Sequence, residues 1–191
     1  MVIRSFLAFE LPPEIRKTLS DVSGKLKRTL PDVRWVKPEN IHLTLVFMGN
    51  FPVDMIDPAG QAFEEISKRY APFRIQLRGI GTFGGTRNPR VLWAGINGNV
   101  ERMGAFRDEL QQKSGEFGVI IENRRFKPHL TLARFKKKKN QGSNLEPILF
   151  EHNKTESPFT ELKELIFFKS ELKEGGAIYT KLKSFHLTGD L

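Results

Sequence analysis

The tetrapeptide His-Leu-Thr-Leu occurs twice in this chain, at residues 42–45 and 129–132, although the 191 residues include only four histidines. Successive side chains of an extended strand point to opposite faces, so in each copy the histidine and the threonine share one face. A histidine can accept or donate a proton near neutral pH, and a threonine hydroxyl can donate a hydrogen bond to an anion. The repeat therefore predicts one site with a base, an acid and two anion-binding hydroxyls.

The overall charge indicates an anionic partner. The formal net charge is +9 and the pI is near 9.9, and among the anions that a basic protein attracts, nucleic acid is the first candidate. Cysteine is absent, which excludes disulfides, thiolate catalysis and zinc sites built on sulfur and fits a reducing interior. The first apolar run ends at Glu10, too early for a signal peptide or a membrane span. We therefore expect a cytoplasmic protein without a membrane segment.

Strand and helix patterns are mixed along the whole chain, and the two motifs lie 87 residues apart (129 − 42), close to half its length. A duplicated unit that folds into two facing lobes, each with a sheet and helices, explains both observations. Periodicity predicts helices at 12–29, 54–70 and 100–117, a loop at 81–89, a polar segment at 136–146, and strands at 2–9, 33–36, 41–47, 73–80, 90–96, 129–135, about 161–172 and 178–187.

The residues around the first motif resemble a known family. The segment Arg-Trp-Val-Lys-Pro-Glu-Asn-Ile-His-Leu-Thr-Leu at 34–45, followed by Phe-Met-Gly at 47–49, is similar to the first motif of the RNA 2′,3′-cyclic phosphodiesterases, once called 2′-5′ RNA ligases, of the 2H phosphoesterase superfamily. The segments 90–95, 128–134 and 178–185 follow in the order that this family shows, so the resemblance covers essentially the whole chain. It implies an α+β fold of two pseudo-twofold-related lobes, residues 1–191 forming one bilobal domain with the active site in the central cleft.

The resemblance also implies hydrolysis of a terminal 2′,3′-cyclic phosphate to a 2′-phosphomonoester without a cofactor. Opening this ring requires an activated water on one side of phosphorus, a proton for the leaving ribose oxygen on the other, and neutralisation of the charge between them. His42 and His129 are then base and acid, while Thr44 and Thr131 bind the non-bridging oxygens. We prefer His129 as the base and His42 as the acid, although their order is not readable from the sequence and the roles exchange in the reverse, ligation reaction.

Other residues could contact the substrate. The family uses an arginine near the phosphate at the position of Arg134, but strict alternation from His129 places this residue on the opposite face unless the strand ends or bulges. Phe47, Phe83 and Trp35 could stack on a nucleobase, although aromatic residues near strands are more often core residues. Phe83 is the first choice because its predicted loop is polar.

Three further patterns carry no predicted role. Residues 79–84 match G-x-G-x-x-G but lead into a strand, whereas a dinucleotide-binding loop opens a helix. His186 begins His-Leu-Thr at the chain end, where a surface or structural role is the simpler interpretation, and His152 lies in a polar stretch typical of a solvated side chain.

Basic residues surround the second motif, and the sequence leaves two interpretations of them open with equal weight. Arg124, Arg125 and Lys127 precede the motif, and the run 136–139 consists of four lysines. Such a run is usually a solvated loop, but beside a catalytic strand it could guide an RNA backbone with little sequence specificity.

The sequence therefore predicts a monomeric, metal-independent enzyme that opens RNA 2′,3′-cyclic phosphate ends, with reversible 2′-5′ ligation as a side activity. One alternative is a phosphodiesterase for small cyclic nucleotides, and another is a non-catalytic RNA-binding module with vestigial histidines. A metal site is disfavoured because neither motif carries a second histidine or a carboxylate at ligand spacing.

Overall fold

The computed structural model of the protein describes residues 1–31, 33–136, 145–174 and 176–190. In these ranges the chain forms nine strands and four α-helices. The strands are β1 (Val2–Phe9), β2 (Val33–Trp35), β3 (Leu43–Pro52), β4 (Phe73–Phe83), β5 (Val91–Gly98), β6 (His129–Phe135), β7 (Thr160–Leu162), β8 (Glu164–Lys173) and β9 (Gly176–His186). The helices are α1 (Pro13–Thr29), α2 (Ile56–Arg69), α3 (Val100–Glu116) and α4 (Leu145–Glu151).

The helix α1 shows why the predicted helices form. Pro13 occupies its first turn, where a missing backbone N–H costs nothing, and Lys27 with Arg28 lies in the last turn, where positive charge is favourable. Its buried residues recur at helical spacing and form one apolar stripe. They are Ile15, Leu19, Val22 and Leu26.

The strands form two antiparallel sheets, as the predicted α+β fold requires. The first sheet has the order β3-β1-β8-β9, and the second has the order β2-β6-β5-β4-β7. The first histidine motif borders the first sheet through β3, whereas the second motif lies in β6 of the second sheet. The two motifs thus belong to different sheets.

The two halves of the chain exchange strands. β8, from the second half, pairs with β1 in the first sheet, and β4, from the first half, pairs with β5 in the second sheet. The helices α1 and α3 follow β1 and β5, and each has 17 residues. This correspondence supports the predicted duplication. Because each sheet contains a strand from the other half, neither half can complete its sheet alone.

A hydrophobic core continuous through both halves lies between the sheets and the helices. Phe9 of β1, Phe73 of β4 and Phe106 of α3 are fully buried, with ring centroids between 5.4 and 6.3 Å apart. A second, smaller cluster consists of Phe6, Ala8, Ile166 and Phe168 on the opposite face of the first sheet. This opposite face borders the site described below.

The structure differs from the sequence prediction in four places. The predicted strand at 41–47 is observed as β3, which begins at Leu43 and continues to Pro52, so His42 precedes the strand. The helix α4 was not predicted; it begins at the end of the predicted polar segment 136–146, of which 137–144 lie outside the described residues. The predicted strand at 161–172 divides at Lys163 into β7 of the second sheet and β8 of the first. The predicted loop at 81–89 begins too early, because β4 continues to Phe83, which pairs with Val91. Among the described residues, no helix is long and apolar enough to cross a membrane.

Candidate active site

His42 lies immediately before β3, at the end of the segment that connects the two sheets. Its Nδ1 is 2.8 Å from the backbone carbonyl oxygen of Asn40. A carbonyl oxygen only accepts, so this contact places the proton on Nδ1 and leaves the Nε2 lone pair free. The neutral ring can then accept a proton at Nε2, and the protonated ring can donate one from the same atom.

His129 repeats this arrangement in the second sheet. It is the first residue of β6 and pairs with Gly95, and its Nδ1 is 2.8 Å from the backbone carbonyl oxygen of Lys127. In both motifs the imidazole therefore donates to the carbonyl two residues earlier in the chain. The imidazole of His129 and the ring of Phe83 meet edge to face, with centroids 4.8 Å apart and planes at 89°.

The surroundings of His42 are aromatic. Phe6 stacks on the imidazole at 4.7 Å, and Tyr179 meets it edge to face at 5.1 Å. Burial lowers the pKa of His42 from 6.5 to about 4, while the hydrogen bond to Asn40 acts weakly in the other direction. At neutral pH, the free protein therefore holds His42 in its neutral form.

Thr44 and Thr131 lie on the same faces as their histidines, as the alternation predicts. Thr44 pairs with Ala8 of β1, and Thr131 pairs with Trp93 of β5. Both threonines are half-buried. Each of these hydroxyls can donate one hydrogen bond to an anion.

A β-bulge follows each threonine and changes the face of the residues after it. Next to β1, Thr44 pairs with Ala8 and Val46 with Leu7, so Leu45 is the unpaired residue. Because of this bulge, Val46 is buried with the leucines and Phe47, which is 61% exposed, returns to the face of His42.

The second motif contains the equivalent bulge at Leu132, since Thr131 pairs with Trp93 and Ala133 with Leu92. Ala133 is buried and Arg134 is exposed, so Arg134 shares the face of His129. Strict alternation had placed Arg134 on the opposite face, and the bulge is the reason that the structure differs.

One hydrogen bond and one charge interaction connect the two sheets near the motifs. The backbone N–H of Val36 donates to the carbonyl oxygen of Leu132 at 2.8 Å, which ties the segment leading to His42 to the bulge of the second motif. Burial raises the pKa of Tyr179, whereas the positive charges of Arg134 and Arg4 oppose the rise. Arg134 of the second sheet thus acts on the tyrosine that contacts His42.

A cavity of about 350 Å³ borders His42. Its wall combines the aromatic rings of Phe168 and Tyr179 with the side chains of Lys37 and Lys181. Lys181 forms an ion pair with Glu10 at 2.7 Å. The cavity leaves room beside the imidazole for a group attached to a bound phosphate.

Several sequence candidates lie outside this arrangement. Trp35 packs against the core and under Lys27, at 5.7 Å, which does not suit base stacking. His186 is exposed and lies 3.5 Å from Glu164. Arg124, Arg125 and Lys127 are exposed before β6. Of the lysine run, Lys136 is exposed, and 137–139 lie outside the described residues.

Sequence reasoning missed the aromatic residues around His42 and the hydrogen bonds of Asn40. Phe6, Phe168 and Tyr179 come from three strands of the first sheet, and no local pattern shows that they meet one imidazole. Asn40 lies two residues before the first histidine, but an asparagine in a turn is common. In the part of the chain that the structure describes, no group of three or more His, Cys, Asp or Glu side chains is placed to hold a metal.

Comparison with known proteins supports the internal duplication. The profile of the family described as LigT like Phosphoesterase matches this chain twice, over residues 9–93 and 96–179. The matches begin 87 residues apart (96 − 9), which is also the spacing of the two histidines (129 − 42). Each match therefore contains one His-Leu-Thr-Leu motif at the same place.

Similar proteins cover the whole chain. The RNA 2′,3′-cyclic phosphodiesterase of Aquifex aeolicus (strain VF5) is 30% identical over 193 residues, which cover 98% of this chain and 99% of that protein. The protein of the same name from Methanothermobacter thermautotrophicus is 32% identical over 187 residues, with 98% and 100% covered.

Solved structures show the same fold. The crystal structure of TT0787 of Thermus thermophilus has a TM-score of 0.81 at 28% identity and covers 99% of this chain and all of that one. E. coli LigT in apo form has a TM-score of 0.72 at 25% identity, with 98% of both chains covered. With both halves matched by one family profile and relatives similar from end to end, this chain belongs to the LigT-like phosphoesterase family.

Proposed function

We propose that this protein hydrolyses the 2′,3′-cyclic phosphate at the 3′ end of RNA to a 2′-phosphomonoester. One observation carries the proposal: His42 and His129 have the same backbone hydrogen bond and the same free Nε2, in a chain whose relatives are named RNA 2′,3′-cyclic phosphodiesterase. Two imidazoles with free Nε2 atoms can supply the base and the acid of one displacement at phosphorus.

The reaction proceeds by attack of water on phosphorus. One histidine takes a proton from the water as its oxygen bonds to phosphorus, and the bond from phosphorus to O3′ breaks. The other histidine gives a proton to O3′, which leaves as a hydroxyl. The phosphate stays on O2′, and one proton has moved from one imidazole to the other, so solvent exchange restores the starting state.

The two histidines have different roles in this proposal. We assign His129 as the base and His42 as the acid, as the sequence analysis preferred. Because burial lowers the pKa of His42 to about 4, the acid role requires His42 to take up a proton from solvent when the substrate binds. A phosphate anion beside the imidazole favours its charged form and raises its pKa.

Three side chains bind the non-bridging oxygens of the phosphate in this proposal. Thr44 and Thr131 donate hydroxyl hydrogen bonds, and Arg134 adds a guanidinium that lies on the face of His129. Phe83 contacts His129, Phe47 is exposed on the face of His42, and both offer ring faces for the terminal base. When the 5′-hydroxyl of a second RNA replaces water, the same site forms a 2′-5′ linkage.

Both motifs belong to one chain, so a monomer can form the whole proposed site. We therefore propose that the active unit is a monomeric, bilobal domain at residues 1–191. We further propose that it acts in the cytoplasm, without a metal or an organic cofactor.

Product analysis tests this function. An RNA oligomer that ends in a 2′,3′-cyclic phosphate is incubated with the protein in the presence of a chelator, and the ends are separated by chromatography. We expect a 2′-phosphate product. A 3′-phosphate product, binding without turnover, or activity that requires a divalent ion would each contradict the proposal.

The alternative substrate class is tested in the same assay. Cyclic mononucleotides are compared with RNA oligomers at equal concentration of ends, and the values of kcat/KM are measured. We expect the oligomers to have the higher value, because only they offer further phosphates to the basic surface. A higher value for the mononucleotide would favour a phosphodiesterase for small cyclic nucleotides.

A further inference from the structure

A short connecting segment, residues 36–42, links the two sheets and ends at His42. We call it the strap. Its first residue, Val36, donates its backbone N–H to Leu132 of β6 in the second sheet, and its last residue precedes β3 of the first sheet. A turn of 3-10 helix, Pro38–Asn40, lies between these ends. The strap thus connects the second sheet to the first, and the first histidine is its last residue.

Asn40 makes three hydrogen bonds at the centre of the strap. Its backbone N–H donates to the carbonyl oxygen of Lys37 at 2.8 Å, and its own carbonyl accepts from Nδ1 of His42 at 2.8 Å. Its side-chain Nδ2 donates to the carbonyl oxygen of Ala177 at 2.8 Å. The first two bonds are local, whereas the third joins the strap to β9, 137 residues further along the chain.

The bond to Ala177 fixes the position of the strap relative to the ring that contacts His42. Ala177 and Tyr179 lie two residues apart in β9, and Tyr179 meets the imidazole edge to face at 5.1 Å. Asn40 therefore bridges His42 and β9, because its carbonyl accepts from the imidazole and its side-chain amide donates to β9. If the amide bond is lost, the strap can move away from β9 and carry His42 with it.

The two histidines differ in how their backbones are held. His129 is inside the strand ladder, because it pairs with Gly95 of β5. His42 lies one residue before the first paired residue of β3, Leu43, which pairs with Phe9. Strand pairing thus positions the second histidine directly, whereas the first depends on the strap.

We propose that Asn40 is a positioning residue for His42, whose side-chain amide holds the strap on β9 so that the imidazole keeps its place and its free Nε2. The proposal rests on the proposed function, since it assumes that His42 takes part in the reaction. Asn40 itself contacts no reacting atom. Its effect on the rate passes through the orientation of His42, and misplacing a reacting group by about 1 Å can reduce a rate on the order of a hundredfold.

The variant Asn40→Ala tests this role. It keeps the carbonyl that orients the imidazole but removes the amide that binds Ala177. We expect kcat for a cyclic mononucleotide to fall by roughly tenfold to a hundredfold, with KM changed by less than about threefold, because ground-state binding remains. We also expect the pKa of His42, followed by NMR titration, to rise by at least about one unit as the ring loses its aromatic contacts.

A matched control separates positioning from general stability. Asn99 also makes a long-range hydrogen bond to backbone, since its Oδ1 accepts from the N–H of Arg74 at 2.8 Å. The variant Asn99→Ala removes this bond and a longer one that Oδ1 accepts from Nη2 of Arg102 at 3.4 Å, and we expect it to lower the melting temperature without changing kcat or the pKa of His42. The variant Asn40→Leu has a side chain of similar size but no hydrogen-bond donor. It is used in place of Asn40→Ala if Asn40→Ala does not fold.

The outcomes distinguish this proposal from the proposed function. An unchanged kcat in Asn40→Ala, or a lower kcat with an unchanged pKa of His42, would overturn the positioning role. The same changes in Asn99→Ala would also overturn it. If the wild-type protein opens no cyclic phosphate, the function fails, whereas the NMR titration still shows whether Asn40 holds His42 in place.

Discussion

Phe47 and Arg134 are structural equivalents, each five residues after the histidine of its motif and two residues after a β-bulge. The bulges at Leu45 and Leu132 return both side chains to the histidine face of their strands. An aromatic ring thus occupies in the first sheet the position that a guanidinium occupies in the second. The exposed face of the first motif thus carries a ring where that of the second carries a charge.

This equivalence predicts separate roles in binding. We expect Arg134→Met to weaken binding of inorganic phosphate on the order of tenfold, because a positive charge is lost. Phe47→Ala should leave phosphate binding unchanged and weaken binding of a nucleoside 2′-phosphate by about fivefold to a hundredfold, the usual effect of a lost stacking partner. Calorimetric titration of each variant with both ligands measures these changes in affinity. Equal effects of Phe47→Ala on both ligands would contradict its stacking role.

Both histidines should be essential. We expect His42→Ala and His129→Ala each to reduce kcat by at least about a thousandfold while the far-ultraviolet circular dichroism stays native, because neither group can replace the other. His186→Ala is the control, since His186 is exposed and lies beside Glu164. Activity that survives the loss of His129 but not that of His186 would show that the second motif is misassigned.

The two threonines should have a milder effect. We expect Thr44→Val or Thr131→Val to lower kcat by roughly tenfold to a thousandfold, as for removal of one hydrogen-bond donor to a charged transition state. Valine keeps the shape, so stability should change little. The measurement is steady-state kinetics on a cyclic mononucleotide, and full activity of the double variant would rule out this role.

The burial of His42 makes the stability of the fold depend on pH. The pKa of His42 is 6.5 in the unfolded chain and about 4 in the folded protein, so between these values the unfolded state binds more protons. The neutral, buried imidazole therefore makes its full contribution to stability above pH 6.5. We expect the free energy of unfolding to fall by up to about 3 kcal/mol as the pH is lowered to 4.

Urea unfolding at a series of pH values measures this effect. The variant His42→Phe, whose ring suits the aromatic surroundings, should lose this pH dependence, whereas the control His186→Asn should keep it. The same curve in wild type and in His42→Phe would show that burial of His42 is not its cause.

The basic surface before β6 should make RNA binding depend on salt. Arg124, Arg125 and Lys127 are exposed, and each phosphate contact that a basic side chain makes with single-stranded RNA adds about 0.7 to the salt slope. We expect a steeper slope for an RNA oligomer than for a cyclic mononucleotide, and a smaller slope when the three residues are replaced by Gln. Equal slopes for the two ligands would leave the surface without a role in RNA binding.

Local patterns alone determined much of this protein. The strict alternation of His-Leu-Thr-Leu placed both histidines beside their threonines, and the helical spacing of Ile15, Leu19 and Val22 predicted α1 with nearly its observed bounds. The repeat at 87 residues predicted the duplication. The alternation and the helical spacing depend on residues within a few positions of one another, and the repeat is visible when two segments of the sequence are compared, so none of these features requires the distant contacts of the fold to be known.

Only the tertiary structure decided which side chains meet at the site. The bulges at Leu45 and Leu132 arise where each strand pairs with a neighbour, and no local signal showed that they bring Phe47 and Arg134 to the histidine face. The contact of His42 with Tyr179 joins residues 137 positions apart (179 − 42). Strand exchange between the halves makes these contacts non-local, and such contacts depend on how the whole chain folds rather than on any short segment.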